Sequence, residues 1–265
     1  FEMHAAALAA LPFTIPVVHI HGGEITEGAI DDALRHSLTK LSHLHCVAAD
    51  AYARRVRQMG EESWRVIVSG APSLDTLRTM TLLDRRELET RCGLRLDVAP
   101  LLVTYHPVTL EYQQTEWQIS QLLAVLGVID LPIVFTAPNA DTHGRVIRRA
   151  IEAFIVHHPT AQLVENVGPQ GYFSLMALAA AMVGNSSSGI VEAPSLGLPV
   201  VNIGTRQEGR RRAANVIDVG YHREDIVQAI RQALEPAFKS GLRGRPNPYG
   251  DGHAAELIVN TLKQV

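Results

Sequence analysis

The 265-residue chain is poor in cysteine, in aromatic residues and in long apolar runs. Its two cysteines, Cys46 and Cys92, are too few and too far apart for a disulfide framework or a cysteine-rich metal site. They suit a reducing compartment, so a cytoplasmic location is expected. Cys46 lies in an apolar run and reads as a small core residue. No apolar stretch reaches the roughly 18 residues that span a bilayer. The longest, residues 175–183, reads as a buried helix. The opening residues lack the basic segment and apolar core of a signal peptide. Neither sign of charge dominates: 24 Lys and Arg face 27 Asp and Glu, for a net charge of -3, which argues against a non-specific nucleic-acid binder. No repeat and no low-complexity tract is found.

What is present is an ordinary globular balance, 46% apolar and 19% charged, over a length that suggests about two domains. Strand-like and helix-like segments alternate. Residues 15–20 are apolar and β-branched, as in a strand buried on both faces. Residues 30–44 have helical spacing, with Leu34, Leu38 and Leu41 on one face. A strand over 46–49, a helix over 51–59 and a strand over 64–68 follow, and the breaker Ser69-Gly70-Ala71-Pro72 ends the series. Residues 75–96, charged and mainly helical, read as the crossing between domains. The pattern then restarts. Strands are expected over 101–105, 133–136, 161–165 and 199–203. Helices are expected over 116–126, 145–156, 173–182, 223–234 and 253–263, with a short one after Ser188. Such alternation implies parallel sheets with helices on both faces, and chemistry in the strand-to-helix loops.

Several of those loops are polar. Gly184-Asn185-Ser186-Ser187-Ser188-Gly189 follows an apolar segment and opens a helix, so backbone amides and serine hydroxyls there suit an anion. Glu192, a turn further on, suits ribose hydroxyls. Simple helix capping by the serines is the plain alternative. With the loop Asn202-Ile203-Gly204-Thr205-Arg206-Gln207, whose Arg206 can grip a phosphate, a nucleoside diphosphate is favoured. A surface arginine is the other reading, and it fits the trailing Arg210, Arg211 and Arg212 better. In Tyr105-His106-Pro107, the proline biases His106 to extended geometry at a strand end, where its ring can leave the sheet. Asn139 and Asp141 follow another strand end; they either bind ligand or, for Asp141, cap a helix.

The first half carries His19-Ile20-His21-Gly22-Gly23-Glu24, then Asp31-Asp32, then Arg35-His36. Strand alternation puts His19 and His21 on one side. Acids, bases and an arginine gather as general acid–base work requires; a capped, solvated helix start is the alternative. A metal reading of His19, His21 and Glu24 is the minor one, since no helical His-Glu-x-x-His frame is present.

In this order, His-Ile-His-Gly-Gly-Glu, Ile-Asp-Asp-x-x-Arg-His, His-Pro-Val-Thr, Pro-Asn-x-Asp, Gly-Asn-Ser-Ser-x-Gly, Asn-Ile-Gly-Thr-Arg-Gln and Tyr249-Gly250-Asp251-Gly252 resemble the UDP-N-acetylglucosamine 2-epimerases, in the hydrolysing branch of sialic and legionaminic acid synthesis. The resemblance implies an α/β fold of two Rossmann-like domains like the type B glycosyltransferases. The first, incomplete domain is expected over residues 1–80 and the UDP-binding domain over 81–247. A helical tail over 248–265 is expected to return to the first domain. It implies elimination of UDP to a glycal, then addition of water to give UDP and a 2-epimeric sugar such as N-acetylmannosamine. No cofactor and no metal is implied, and the partners are a UDP-sugar and copies of the same chain in a dimer or tetramer, without nucleic acid or membrane.

The family's UDP-binding residues correspond to His106, Asn139, Ser186, Ser187, Glu192 and Arg206. Asp31 matches a catalytic carboxylate, and Asp141 and Arg35 are further substrate-binding candidates. Many relatives carry a catalytic Glu where this chain has His21, so either His21 or Glu24 takes that part. The family's Gly-Asp-Arg segment precedes the position of Phe1, and its Asp is catalytic. The sequence is therefore expected to be a fragment, and inactive if it is the whole protein. The same chemistry on a UDP-2,4-diacetamido-2,4,6-trideoxyhexose, a glycosyltransferase on the same fold and a non-catalytic UDP-sugar-binding chain are the rivals.

Overall fold

In the computed structural model of the chain, residues 2–139 and 143–264 are described. The chain forms two compact units: Phe1–Thr79 with Glu208–Arg211 and Pro246–Val265, and Met80–Gln207 with Arg212–Arg245.

The first unit runs α1 (Glu2–Ala10), β1 (Val18–Ile20), α2 (Asp31–Leu41), β2 (Leu44–Val47), α3 (Asp50–Gln58), β3 (Val66–Val68) and α4 (Pro72–Thr79). Its sheet is parallel, in the order β1-β2-β3. The expected strand over 15–20 is shorter, and its alternation does not reach His21. That residue lies past the strand with φ +67°, a left-handed conformation that side chains rarely adopt. The helix over 30–44 stops at Leu41, because Leu44 opens the next strand.

The second unit opens with α5 (Arg85–Cys92), where Asp84 and Glu87 form a reciprocal capping box and Gly93 ends the helix at φ +65°. The expected helical crossing is thus two helices, α4 and α5. There follow β4 (Leu101–Thr104), α6 (Thr115–Leu126), β5 (Ile133–Thr136), α7 (Gly144–His157), β6 (Ala161–Val164), α8 (Gly168–Leu178), β7 (Ala181–Gly184), α9 (Ser188–Val191), β8 (Val200–Ile203), β9 (Val216–Val219), α10 (Arg223–Leu234) and α11 (Pro236–Gly241). The last helix, α12 (Ala254–Leu262), belongs to the first unit. There it packs Ala254 and Ile258 on Cys46, which is fully buried.

The supposed buried helix over 175–183 is two elements: α8 ends at Leu178 and β7 starts at Ala181. An apolar run buried on every side has no period to tell helix from strand. The six-stranded parallel sheet has the order β6-β5-β4-β7-β8-β9. The chain moves outward from β4 through β5 to β6, then returns to the other flank of β4 with β7. In doubly wound sheets a reversal of this kind, here between β4 and β7, marks the place at the carboxyl ends of the strands where ligands usually bind. Leu101, Val103, Phe135, Ile147, Val183, Val201 and Ile230 belong to the hydrophobic core of this unit.

Candidate active site

In the second unit the loops after β4, β5, β7 and β8 are tied together through Asn185 and His106. Asn185 opens the loop after β7. It is fully buried at the end of β7. Its Oδ1 accepts from the His106 amide at 2.7 Å, and its Nδ2 donates to the His106 carbonyl at 2.8 Å. Its own carbonyl accepts from Arg206 at 3.2 Å and from the Gln207 side chain at 2.8 Å. The preceding Gly184 has φ +136°, and a Cβ there would stand 2.0 Å from the Thr104 carbonyl oxygen. Only glycine lets β7 lie this close to β4 and turn into the serine loop.

His106 Nδ1 accepts from the Asn139 amide at 3.1 Å. Burial, reinforced by the Arg206 charge, pushes the imidazole down to about 3. The ring is therefore neutral, with its proton on Nε2, and offers a neutral donor beside a guanidinium. In the serine loop, Ser188 N donates to Ser186 Oγ at 3.3 Å. Helix α9 has four residues, too few for a strong macrodipole, so local amides and hydroxyls carry any anion binding there. Glu192 is the C-cap of α9 rather than a residue within a longer helix. It lies close enough to Tyr172 to act on it electrostatically, and the Tyr172 hydroxyl packs beside Ser186, Ser188 and Thr104.

His106, Asn139, Ser186, Ser187 and Arg206 thus come from four strand ends around Asn185. Asp141 lies outside the described residues. Asn185 and Gln207 stand in the motifs without a role that their sequence context reveals; the signal for both is their place beyond a strand end. Tyr172 had no signal in the sequence.

The first unit holds a second polar group. Glu24 is fully buried. Its Oε1 lies 3.0 Å from His21 Nδ1 and its Oε2 lies 3.0 Å from the Arg210 guanidinium. Arg210, expected at the surface, has a side chain only 11% exposed. The cause is a tyrosine clamp. The Arg211 amide donates to the Tyr52 hydroxyl at 3.1 Å, and the Tyr249 hydroxyl donates to the Arg211 carbonyl at 3.0 Å. The two hydroxyls meet at 2.8 Å. Burial pushes the Glu24 carboxyl up. The His21 hydrogen bond and the charges of Arg210, His21 and Arg35 outweigh that and hold it below the usual carboxylate range.

Arg35 donates to Thr26 Oγ1 at 2.6 Å and to the Glu24 carbonyl, so it orders the loop over 24–26. Asp32 accepts from the Thr26 amide at 2.8 Å, whereas Asp31 stays exposed at the start of α2. His19 is buried and bonded to Thr39 rather than paired with His21 on one sheet face; burial, helped by His45 and Arg35, pushes it down to about 4. Among the described residues no three His, Cys, Asp or Glu side chains gather as a metal site.

The family model for UDP-N-acetylglucosamine 2-epimerase matches residues 1–263. The chain belongs to the UDP-N-acetylglucosamine 2-epimerase family. This epimerase-family chain is 40% identical over 268 residues to the Campylobacter jejuni GDP/UDP-N,N'-diacetylbacillosamine 2-epimerase (hydrolyzing), covering all of this chain and 69% of that protein. It is 38% identical over 265 residues to the Legionella pneumophila UDP-N,N'-diacetylbacillosamine 2-epimerase (hydrolyzing), covering all of this chain and 68% of that protein. Among solved structures, the Neisseria meningitidis UDP-GlcNAc 2-epimerase bound to UDP-GlcNAc superposes with a TM-score of 0.81 at 22% identity, covering 99% of this chain and 73% of that one. That likeness extends the family's fold, with its parallel α/β sheets, to this epimerase chain.

Proposed function

We propose that the protein is a hydrolysing 2-epimerase of UDP-linked 2-acetamido sugars. The observation that carries this is the switch-point cluster, where a neutral His106 donor, Arg206 and the serine loop are assembled around Asn185. Hydrogen-bond donors of that kind suit a diphosphate, both as a ligand and as a leaving group gaining charge. UDP leaves C1 as the C2 proton is lost, giving a glycal. Water adds at C1 and a proton returns to the opposite face of C2, releasing UDP and the free 2-epimeric sugar. The acid–base work falls to Asp31, His21 and Glu24, and UDP binding to His106, Asn139, Ser186, Ser187, Glu192 and Arg206, within residues 81–247. Arg35 acts on substrate through the loop it orders.

The names of the two relatives support a UDP-2,4-diacetamido-2,4,6-trideoxyhexose as substrate; the family's name supports UDP-N-acetylglucosamine as the second reading. The two free thiols, Cys46 and Cys92, suit the cytoplasm, and family resemblance supports a homo-oligomer.

The test offers both sugars side by side in D2O. The expected outcome is UDP release, faster from the diacetamido sugar, with one deuterium at C2 of the product. Transfer to an acceptor without hydrolysis, or UDP binding without release, sinks the proposal.

A further inference from the structure

We infer that His21 Nε2 is the base that removes the C2 proton, and that Glu24 and Arg210 are positioning residues that never exchange that proton themselves. This rests on the function proposed above and divides the labour within its acid–base group.

The division follows from exposure and geometry. The Glu24 side chain is 1% exposed and the His21 side chain 32%. A carboxylate with both oxygens engaged and almost no accessible surface cannot reach a substrate carbon. It can hold a ring. With Glu24 ionised, His21 keeps its proton on Nδ1, 3.0 Å from Oε1, and the lone pair falls on Nε2. Arg210 holds the other oxygen, so Glu24 stays an anion and cannot take the proton back from Nδ1. The loop is built for this placement. His21 adopts φ +67°, and Gly23 adopts φ +76° where a Cβ would meet the Tyr52 carbonyl oxygen at 2.7 Å. Left-handed strain at a non-glycine residue persists only where the surroundings enforce it. Here the His21 amide bonds the Cys46 carbonyl at 2.8 Å and the ring bonds Glu24.

In the step itself, the Nε2 lone pair forms a bond to the C2 proton. The C2–H electron pair becomes the C1–C2 double bond, and the C1–O pair departs with UDP. His21 is left as an imidazolium whose charge Glu24 neutralises. Glu24 and His19 act directly with His21; Arg210 and Arg35 act on Glu24, His45, Arg35 and His36 act on His19, and Asp31 and Asp32 act on Arg35.

The experiment compares wild type, His21→Gln and Glu24→Gln for UDP affinity and for kcat/KM against pH. The UDP affinity of His21→Gln is expected within about threefold of wild type, while its kcat/KM falls at least about a thousandfold. Glu24→Gln is expected to lose at least about tenfold in kcat/KM while keeping a rising pH limb, because His21 is still the base but a carboxylate no longer fixes its Nδ1 proton. If Glu24→Gln does not fold, His21→Gln still decides. Wild-type turnover with His21→Gln above a tenth of the wild-type rate overturns this inference alone. So does a pH limb that disappears in Glu24→Gln and persists in His21→Gln. A wild type that binds UDP and never releases it overturns the proposed function and this inference with it.

Discussion

At the scale of single residues, Gly184 has the least room of the described glycines. Its φ of +136° and the 2.0 Å approach to the Thr104 carbonyl leave no place for a methyl group. Gly184→Ala is expected to cost roughly 3 kcal/mol or more, from backbone strain and displacement of β4 together. Its urea midpoint should fall accordingly. A midpoint within experimental error of wild type would show that the two strand ends are not packed this way.

Two histidines are expected to make the fold acid-labile. Burial holds His106 at about 3 and His19 at about 4, both below the ordinary value of 6.5. The unfolded chain therefore takes up protons that the folded chain refuses. The stability these groups support is complete above about pH 6.5 and is lost as pH falls toward 4 and then 3. The slope is expected to reach about 1.4 kcal/mol per pH unit per histidine. Urea midpoints at pH 7.5, 6 and 5 check this, and His106→Gln should flatten part of the slope. Sequence could name both histidines but not their protonation, which depends on neighbours far away in the chain. The His106 ring nitrogen meets the Asn139 amide, and Arg206 sits beside it. Arg210 was illegible for the same reason: nothing local distinguishes it from Arg211 and Arg212, and only the Tyr52–Tyr249 clamp turns it inward.

At the scale of elements, most strands and helices follow from periodicity and breakers. The span of β5 is the expected one, as is that of α10. The failures share a cause. The sequence reads β7 as the end of a helix because Ala181–Gly184 is buried throughout and carries no alternation. Strand β9 (Val216–Val219) falls outside the expected strands because Asp218 breaks its apolar run; in the fold Arg212 and Asn202 hold that carboxylate. Without β7 the reversal between β4 and β7 is invisible. The motifs of the site were therefore legible, but not the sheet position that unites them.

The end of the chain depends on another element for its start. The Asp75 carboxylate, on α4, accepts from the Ala254 and Ala255 amides at 2.9 and 2.6 Å, and so caps α12 from outside. A distant side chain replaces the usual local cap. Asp75→Ala is expected to lower stability by about 1–2 kcal/mol and to speed amide exchange across α12 more than across α10. Equal protection of both helices in the variant would remove Asp75 as the cap.

For the whole molecule, the sequence divides chemistry between two units that the chain links four times, after Thr79, Gln207, Arg211 and Arg245. Nucleotide-binding candidates fall in one unit and acid–base candidates in the other, so affinity and turnover should be separable by mutation. Arg206→Ala removes a charge-assisted donor from the proposed diphosphate site, a loss of about 2–3 kcal/mol or some 30- to 150-fold in UDP affinity. Saturating UDP at about 100 times its Kd should stabilise the wild type by about 2.7 kcal/mol. At that same concentration Arg206→Ala should keep only a fraction of the gain, and His21→Gln should keep nearly all of it. Thermal melts of the three proteins with and without UDP read this directly. A His21→Gln protein that loses the UDP-induced shift, or an Arg206→Ala protein that retains it in full, would mean that nucleotide binding is not confined to the unit around Asn185.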